Sequence, residues 1–226
     1  MPERQAKEIA MELILASASP RRQELISFLG LPWRVMVARV DEESVSHPDP
    51  AQDVIATARL KAADVVARAP GGAIVIAADT TVALDGRCLN KPAGPAEARE
   101  MLMQLRGRIH HVHTGIVVVD KDNDRWLSDV ASVPVPMRRY TRAEVENYVA
   151  SGDPLDKAGA YAIQHPGFQP VSGLSDCYAA VVGLPLCHLA RALGRLGVRV
   201  PADVAGLCQA HHGYQCPVFS QILGGS

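Results

Sequence analysis

Short apolar runs and longer stretches of helical spacing take turns along this chain. The run Leu13-Ile14-Leu15 is unbroken and brief, the pattern of a buried strand. It passes into Ala16-Ser17-Ala18-Ser19 and then Pro20-Arg21-Arg22. Ser19 suits a helix N-cap and Pro20 the first helical position, where a missing N–H costs nothing. Trp33 to Val40 predicts a second strand ending in Asp41-Glu42-Glu43. Ala51 to Arg68 predicts a helix with Val54, Ala58 and Lys61 at helical spacing. Gly71-Gly72 punctuates, and Ala73 to Ala78 predicts a fully apolar strand running into Asp79-Thr80-Thr81. A turn follows at Asp85-Gly86, then Lys91-Pro92 and a helix over about Pro95 to Leu105. Gly115 to Asp120 predicts an interior strand and Asp129 to Val135 a half-buried one. Thr141-x-x-Glu144 is a capping-box signature for a helix to about Ala150. A Gly-containing segment, Asp156 to Gln164, leads towards the apolar run Tyr178 to Val182; Pro185 opens a last helix that Gly197 closes. Beyond Val198 no period is visible. Strands alternating with helices predict an α/β fold.

Composition narrows the classes. The 226 residues carry a formal net charge of −1 with acids and bases interspersed, so no electrostatic footprint for duplex nucleic acid or an anionic membrane is present. The apolar runs suit strands rather than membrane spans. Charged residues persist to Glu12, unlike a signal peptide, and five scattered cysteines make no disulfide framework, so a cytoplasmic location is expected.

The polar residues at the ends of these elements carry the chemistry. Two arginines in a helix's first turn oppose the macrodipole at roughly 0.3–1 kcal/mol per site, a cost an anion at that helix end would offset. Asp79, directly after a buried strand, sits where α/β folds place ligands and can serve as metal ligand or general base. Asp41, Glu42 and Glu43 offer further carboxylates for a Mg²⁺-like ion, and Lys61 and Lys91 are candidate phosphate ligands. Gln164 carries a donor and an acceptor, which suits a pyrimidine imide edge. Singly, each has a plain alternative: solvated charge, an Asp-Thr turn or N-cap, an acidic loop. The stretch Cys208-x-x-His211-His212-x-x-x-Cys216 suggests zinc, but its spacing matches no standard site, so free or buried cysteines are expected. His110, His111 and His113 lie along a strand, with His111 expected to face away from the other two.

Taken in order, these segments resemble the Maf family of nucleotide pyrophosphatases, also called septum-formation inhibitor proteins. The matching residues are Leu15-Ala16-Ser17-x-Ser19-Pro20-Arg21-Arg22, Val40-Asp41-Glu42, Ala58-Arg59-Leu60-Lys61-Ala62, Ala78-Asp79-Thr80, Asn90-Lys91-Pro92, Leu105-Arg106-Gly107-Arg108, His113-Thr114-Gly115, Asp156 to Gln164, and Val182-Gly183-Leu184-Pro185-Leu186. The resemblance implies a domain over residues 11–199 followed by an extension, 200–226. It implies an elongated mixed sheet flanked by helices, two lobes around a central cleft, related to inosine-triphosphatase-like enzymes. The implied reaction is hydrolysis of a nucleoside triphosphate to the monophosphate and pyrophosphate with a divalent cation, Mg²⁺ or Mn²⁺, a house-cleaning role with a link to cell division. Asp79 would then activate water, Glu42 and Asp79 would bind metal, and Ser17, Arg22, Lys61 and Lys91 would hold the phosphates. Arg21, Thr80 and Gln164 match the pattern of members acting on dTTP and UTP rather than 7-methyl-GTP. The alternatives are an enzyme for modified nucleotides and a non-catalytic nucleotide-binding regulator. A homodimer is expected by family analogy alone.

Overall fold

A computed structural model describes residues 11–224 of the chain. The charged N-terminal stretch behind the signal-peptide reading lies outside them, apart from Met11 and Glu12. Six strands form one mixed sheet: β1 (Glu12–Leu15), β2 (Trp33–Val35), β3 (Ala73–Leu84), β4 (Arg87–Leu89), β5 (Ile109–Asp120) and β6 (Arg125–Pro136). Their order is β2-β1-β3-β5-β6, with β4 paired to the far end of β3. β1 runs parallel to both β2 and β3, whereas β5 runs antiparallel to both of its neighbours, β3 and β6. The helices are α1 (Pro20–Ser27), α2 (Pro50–Arg68), α3 (Pro95–Leu105), α4 (Arg142–Ala150), α5 (Tyr178–Val182), α6 (Leu186–Arg195), α7 (Val204–His212) and α8 (Phe219–Gly224). The fold is α/β, as expected, with a mixed sheet flanked by helices.

The strand faces follow the period of two. Ile74, Ile76, Ala78, Val82 and Leu84 enter a large core shared with α1, α3 and α6, while Val75 and Ala77 pack beneath Ala58, Ala62 and Val65 of α2. Asp79 therefore lies on the α2 face, and its neighbour Thr80 on the opposite one.

Four expected strands have different lengths from those read off the apolar pattern, because pairing partners set the ends; the one expected over Asp129 to Val135 runs from Arg125 to Pro136 along β5. β2 stops at Val35 rather than Val40: Met36 N–H donates to Leu15 O (3.1 Å), and Leu15 is the last residue β1 can offer. β3 does not end at Ala78 but runs through Asp79-Thr80-Thr81 to Leu84, since β5 pairs with it from Ile74–Asp120 to Ala83–His111. β5 itself begins at Ile109. On it His110 is buried beside Val112 and Thr114, while His111 and His113 share the other face with their rings stacked 5.9 Å apart. The expectation that His111 faces away from both is thus corrected: residues two apart on a strand share a face.

Local signals act as expected at several ends. Asp85 and Gly86, at φ 51° and 76°, make the tight turn between β3 and β4. The Thr141–Glu144 capping box is complete at α4. Ser19 occupies the N-cap position of α1 without a side-chain cap bond. The tail beyond Val198 folds into α7 and α8, which pack on α6 and seat Val204 in the main core. No helix among the described residues is long and apolar enough to cross a membrane.

Candidate active site

The topology leaves one gap in the sheet. β1 accompanies β3 only as far as Leu15–Ile76, and β4 joins the same edge only from Val82–Leu89. Between them Ala77 to Thr81 have no neighbouring strand on that side. A cleft of about 980 Å³ opens there. Ser17, Arg21, Arg22, Glu42, Glu43, Lys61, Asp79, Thr80, Lys91 and Gln164 all line it, whereas Asp41, the third carboxylate offered by the sequence, does not.

On the α2 face the centre is Lys61. Its side chain leaves α2 among buried Ala58, Ala62 and Val65, and only 8% of it is exposed. The ammonium lies 2.7 Å from Asp79 Oδ1 and 2.7 Å from Glu42 Oε2. One buried cation thus draws together carboxylates from β3 and from the 3₁₀ turn Glu42–Ser44, which Asp41 caps by accepting from Glu43 N–H. Lys61 is engaged by acids rather than standing free for phosphate. Breaking such a buried pair by removing one partner leaves an uncompensated charge.

On the other face the centre is Arg22. Nε donates to Gly183 O (2.8 Å), Nη2 to Thr80 Oγ1 (3.0 Å) and Nη1 to Ser17 Oγ at a longer 3.4 Å. Ser17 Oγ also accepts from Ser19 N–H, so the loop before α1 is folded around the guanidinium. Burial pulls the Arg22 pKa below its ordinary value; Asp79 and Glu42 push it up, and Arg21 lowers it further. Arginine stays charged through such shifts. Gly183, at φ 120°, closes α5 where a Cβ would stand 3.3 Å from Thr80 Oγ1 and 3.4 Å from Arg22 Nε, so glycine suits both the conformation and the approach.

Hydrogen-bond directions behind Arg22 follow from donor count. Thr114 Oγ1 donates to Ala180 O (2.7 Å), so it accepts from Thr80 Oγ1 at 2.9 Å, and Thr80 in turn accepts from Arg22. Thr80 and Thr114 are register partners across β3 and β5. This chain runs from α1 through two strands to α5 and leaves no ambiguity in the Thr80 rotor.

Lys91, beyond β4, and Gln164, beyond the turn Ala158–Ala160, are exposed at the mouth. Lys157 joins them as a buried cation paired with Asp153 (3.0 Å) and Asp156 (2.7 Å). The sequence analysis left Thr114, Gly183 and Lys157 without roles. Gly115 has one as well: a Cβ there would come within 2.9 Å of Val54 and Ile55 backbone atoms, so α2 seats directly on β5. The only signal was their place in the ordered motifs; carbonyl acceptors such as Ala180 O leave no mark in side-chain identity.

Facing carboxylates, a buried lysine and an arginine fork in one cleft make a site for a polyanion. A family model described as Maf-like protein matches residues 12–196, which contain every one of these groups. A protein of Moorella thermoacetica named dTTP/UTP pyrophosphatase is 46% identical over 189 residues, covering 84% of this chain and 97% of its own. One of Geotalea uraniireducens with the same name is 44% identical over 185 residues, covering 82% and 95%. Among solved structures, the Staphylococcus aureus Ham1 protein aligns with a TM-score of 0.46 at 15% identity, over 72% of this chain and 81% of that one. Site and matches coincide on the same span, and the chain belongs to the Maf-like protein family.

Proposed function

We propose that this chain hydrolyses nucleoside triphosphates, dTTP and UTP foremost, to the monophosphate and pyrophosphate. The observation that carries the reading is the Lys61 bridge: it gathers Glu42 and Asp79 at one wall of a cleft whose other wall is the Arg22 fork. The relatives named above act on those two nucleotides by name.

The donor set fits a divalent cation. Glu42 and Asp79 supply hard oxygens, and Mg²⁺ or Mn²⁺ completes its shell with water and substrate phosphates rather than with a protein cage. When bound there, the cation would neutralise phosphate charge.

The chain's own residues do the rest. Arg22 and Lys91 bind the phosphates; Lys61 holds one Asp79 oxygen and leaves the other for a water. Asp79 orients that water and takes its proton as oxygen attacks the α-phosphorus, and the bond to the bridging oxygen of pyrophosphate breaks. Arg22 stabilises the charge that gathers on the leaving group. Gln164 offers its amide to the pyrimidine imide edge, and Arg21 lines the same wall.

Pyrophosphate release across a panel of triphosphates, with and without Mg²⁺, tests this. Wild-type protein should prefer dTTP and UTP, and Asp79→Asn should lose about 10²–10⁴-fold in turnover while keeping its fold by circular dichroism. Near-normal turnover by that variant would remove Asp79 from the chemistry. Gln164→Glu should depress dTTP and UTP use selectively; an unchanged preference takes Gln164 out of the base pocket.

A further inference from the structure

Four of the five cysteines converge on a feature outside the cleft. Cys177, Cys187, Cys208 and Cys216 are all free thiols and line one small apolar cavity walled by α5, α6, α7 and the loop that enters α8. They arrive from separate places: Cys177 at the N-cap of α5, Cys187 in the first turn of α6, Cys208 on α7 and Cys216 in the loop after it. That loop is held firmly. Cys216 N–H donates to Gln209 Oε1 (3.0 Å), Tyr214 OH to Leu174 O (3.0 Å), and the Tyr178 ring lies 4.4 Å from that of His212.

The four sulfurs are not equivalent. Cys177 and Cys187 are 5% and 6% exposed, whereas Cys216 is half-buried and open to a small reagent. The segment carrying Cys216 lies against the start of α5: the ring of Tyr178, next to Cys177, is 5.6 Å from that of Tyr214, two residues before Cys216. Cys177 pulls the Cys216 pKa down to about 6. Burial pushes the Cys187 and Cys208 thiols up to about 12 and about 11.

We propose that Cys177 and Cys216 are a reversible redox pair, oxidised by a small peroxide to a disulfide that fastens the C-terminal extension to α5. The Cys216 thiolate attacks one peroxide oxygen; the O–O bond breaks, giving a Cys216 sulfenic acid and, after protonation, one water. Cys177 sulfur then attacks the sulfenic sulfur. The S–S bond forms, the S–O bond breaks, and the departing hydroxide leaves with the Cys177 proton as a second water. Two thiols lose two electrons in all, and the peroxide gains them. The pairing reaches the catalytic cleft because α5 supplies Ala180 O to Thr114 and ends in Gly183, whose carbonyl holds Arg22. The disulfide therefore secures the segment that orients the arginine fork, and small thiols restore the reduced state by exchange.

The test uses the full chain, reduced, desalted and treated with equimolar hydrogen peroxide. Titratable thiols should fall from five to three, and peptide mapping should find Cys177 joined to Cys216 within one molecule. Tm should rise by roughly 5–10 °C and return after dithiothreitol. Cys216→Ser should abolish the cross-link and the Tm shift while leaving turnover of the reduced enzyme unchanged, and Cys208→Ser should preserve both effects. Cys216 joined to Cys187 or Cys208, a cross-link between molecules, overoxidation with no cross-link, or stoichiometric zinc in the purified protein masking the thiols would each overturn the proposal. These readouts do not depend on which nucleotide the enzyme cleaves.

Discussion

Arg22 occupies a position that helix energetics disfavours, in the first turn of α1 where backbone N–H groups already carry partial positive charge. It is tolerated because three of its five N–H groups donate to Gly183, Thr80 and Ser17, which leaves two for a phosphate, and because the charges of Asp79 and Glu42 favour its cation. Lysine keeps the charge but cannot reach three acceptors in one plane. Arg22→Lys should lower kcat/KM for dTTP by about 100-fold or more, corresponding to roughly 3 kcal/mol of transition-state stabilisation. A variant with kcat/KM within a few-fold of wild type would mean that charge alone suffices there. Arg21, one residue earlier, lines the same cleft. Helical geometry separates the two: neighbours on a helix point about 100° apart.

Among the helices and strands, α2 and β5 bear most directly on the site. Lys61 reaches Asp79 only if α2 lies close on the sheet, and Gly115 is what permits that approach. Gly115→Ala should force the α2 backbone outward, costing about 1–3 kcal/mol in stability. It should also cut turnover, although Gly115 touches no phosphate-binding group. Denaturant midpoints and pyrophosphate release measured on one preparation would check both, and loss of stability with full turnover would show that Lys61 adjusts. The element boundaries teach a related lesson. Helix ends were legible because Pro20, Pro95 and the Thr141–Glu144 box act locally, through capping and fixed φ. Strand ends were not, because β3 continues through Asp79-Thr80-Thr81 only where β5 supplies partners.

Taken as one body, the molecule withdraws two histidines from water: His110, buried and hydrogen-bonded through Nε2 to Tyr161 OH (2.8 Å), and His212, half-buried against Tyr178 in the C-terminal extension. Burial lowers both pKa values from 6.5 to about 4. Unfolded histidine takes up protons below pH 6.5 that these native rings refuse, so stability is full above 6.5, falls as pH drops towards 4 and levels below it. Urea unfolding should show the native state weakened between pH 7 and pH 5, with about 2 kcal/mol from His110. His110→Phe should flatten that slope; an unaltered slope would mean that His110 titrates normally in the native state. The extension matters to the same body, since Val204 and Ala205 are buried and Arg191 donates to Ile222 O (3.0 Å). Its helices escaped the sequence reading because α7 and α8 are short and mostly half-exposed, with too few buried positions to show a period.

The residue types needed for polyanion chemistry, their order along the chain and the family they mark were all settled in one dimension, since composition, capping and motif spacing are local properties. Convergence was not. Glu42, Lys61 and Asp79 meet because β1 stops at Leu15 and opens an edge of β3, because Gly115 admits α2, and because the pleat turns Asp79 one way and Thr80 the other. Those are pairing and packing choices between distant segments, and they come into being only when the sheet closes.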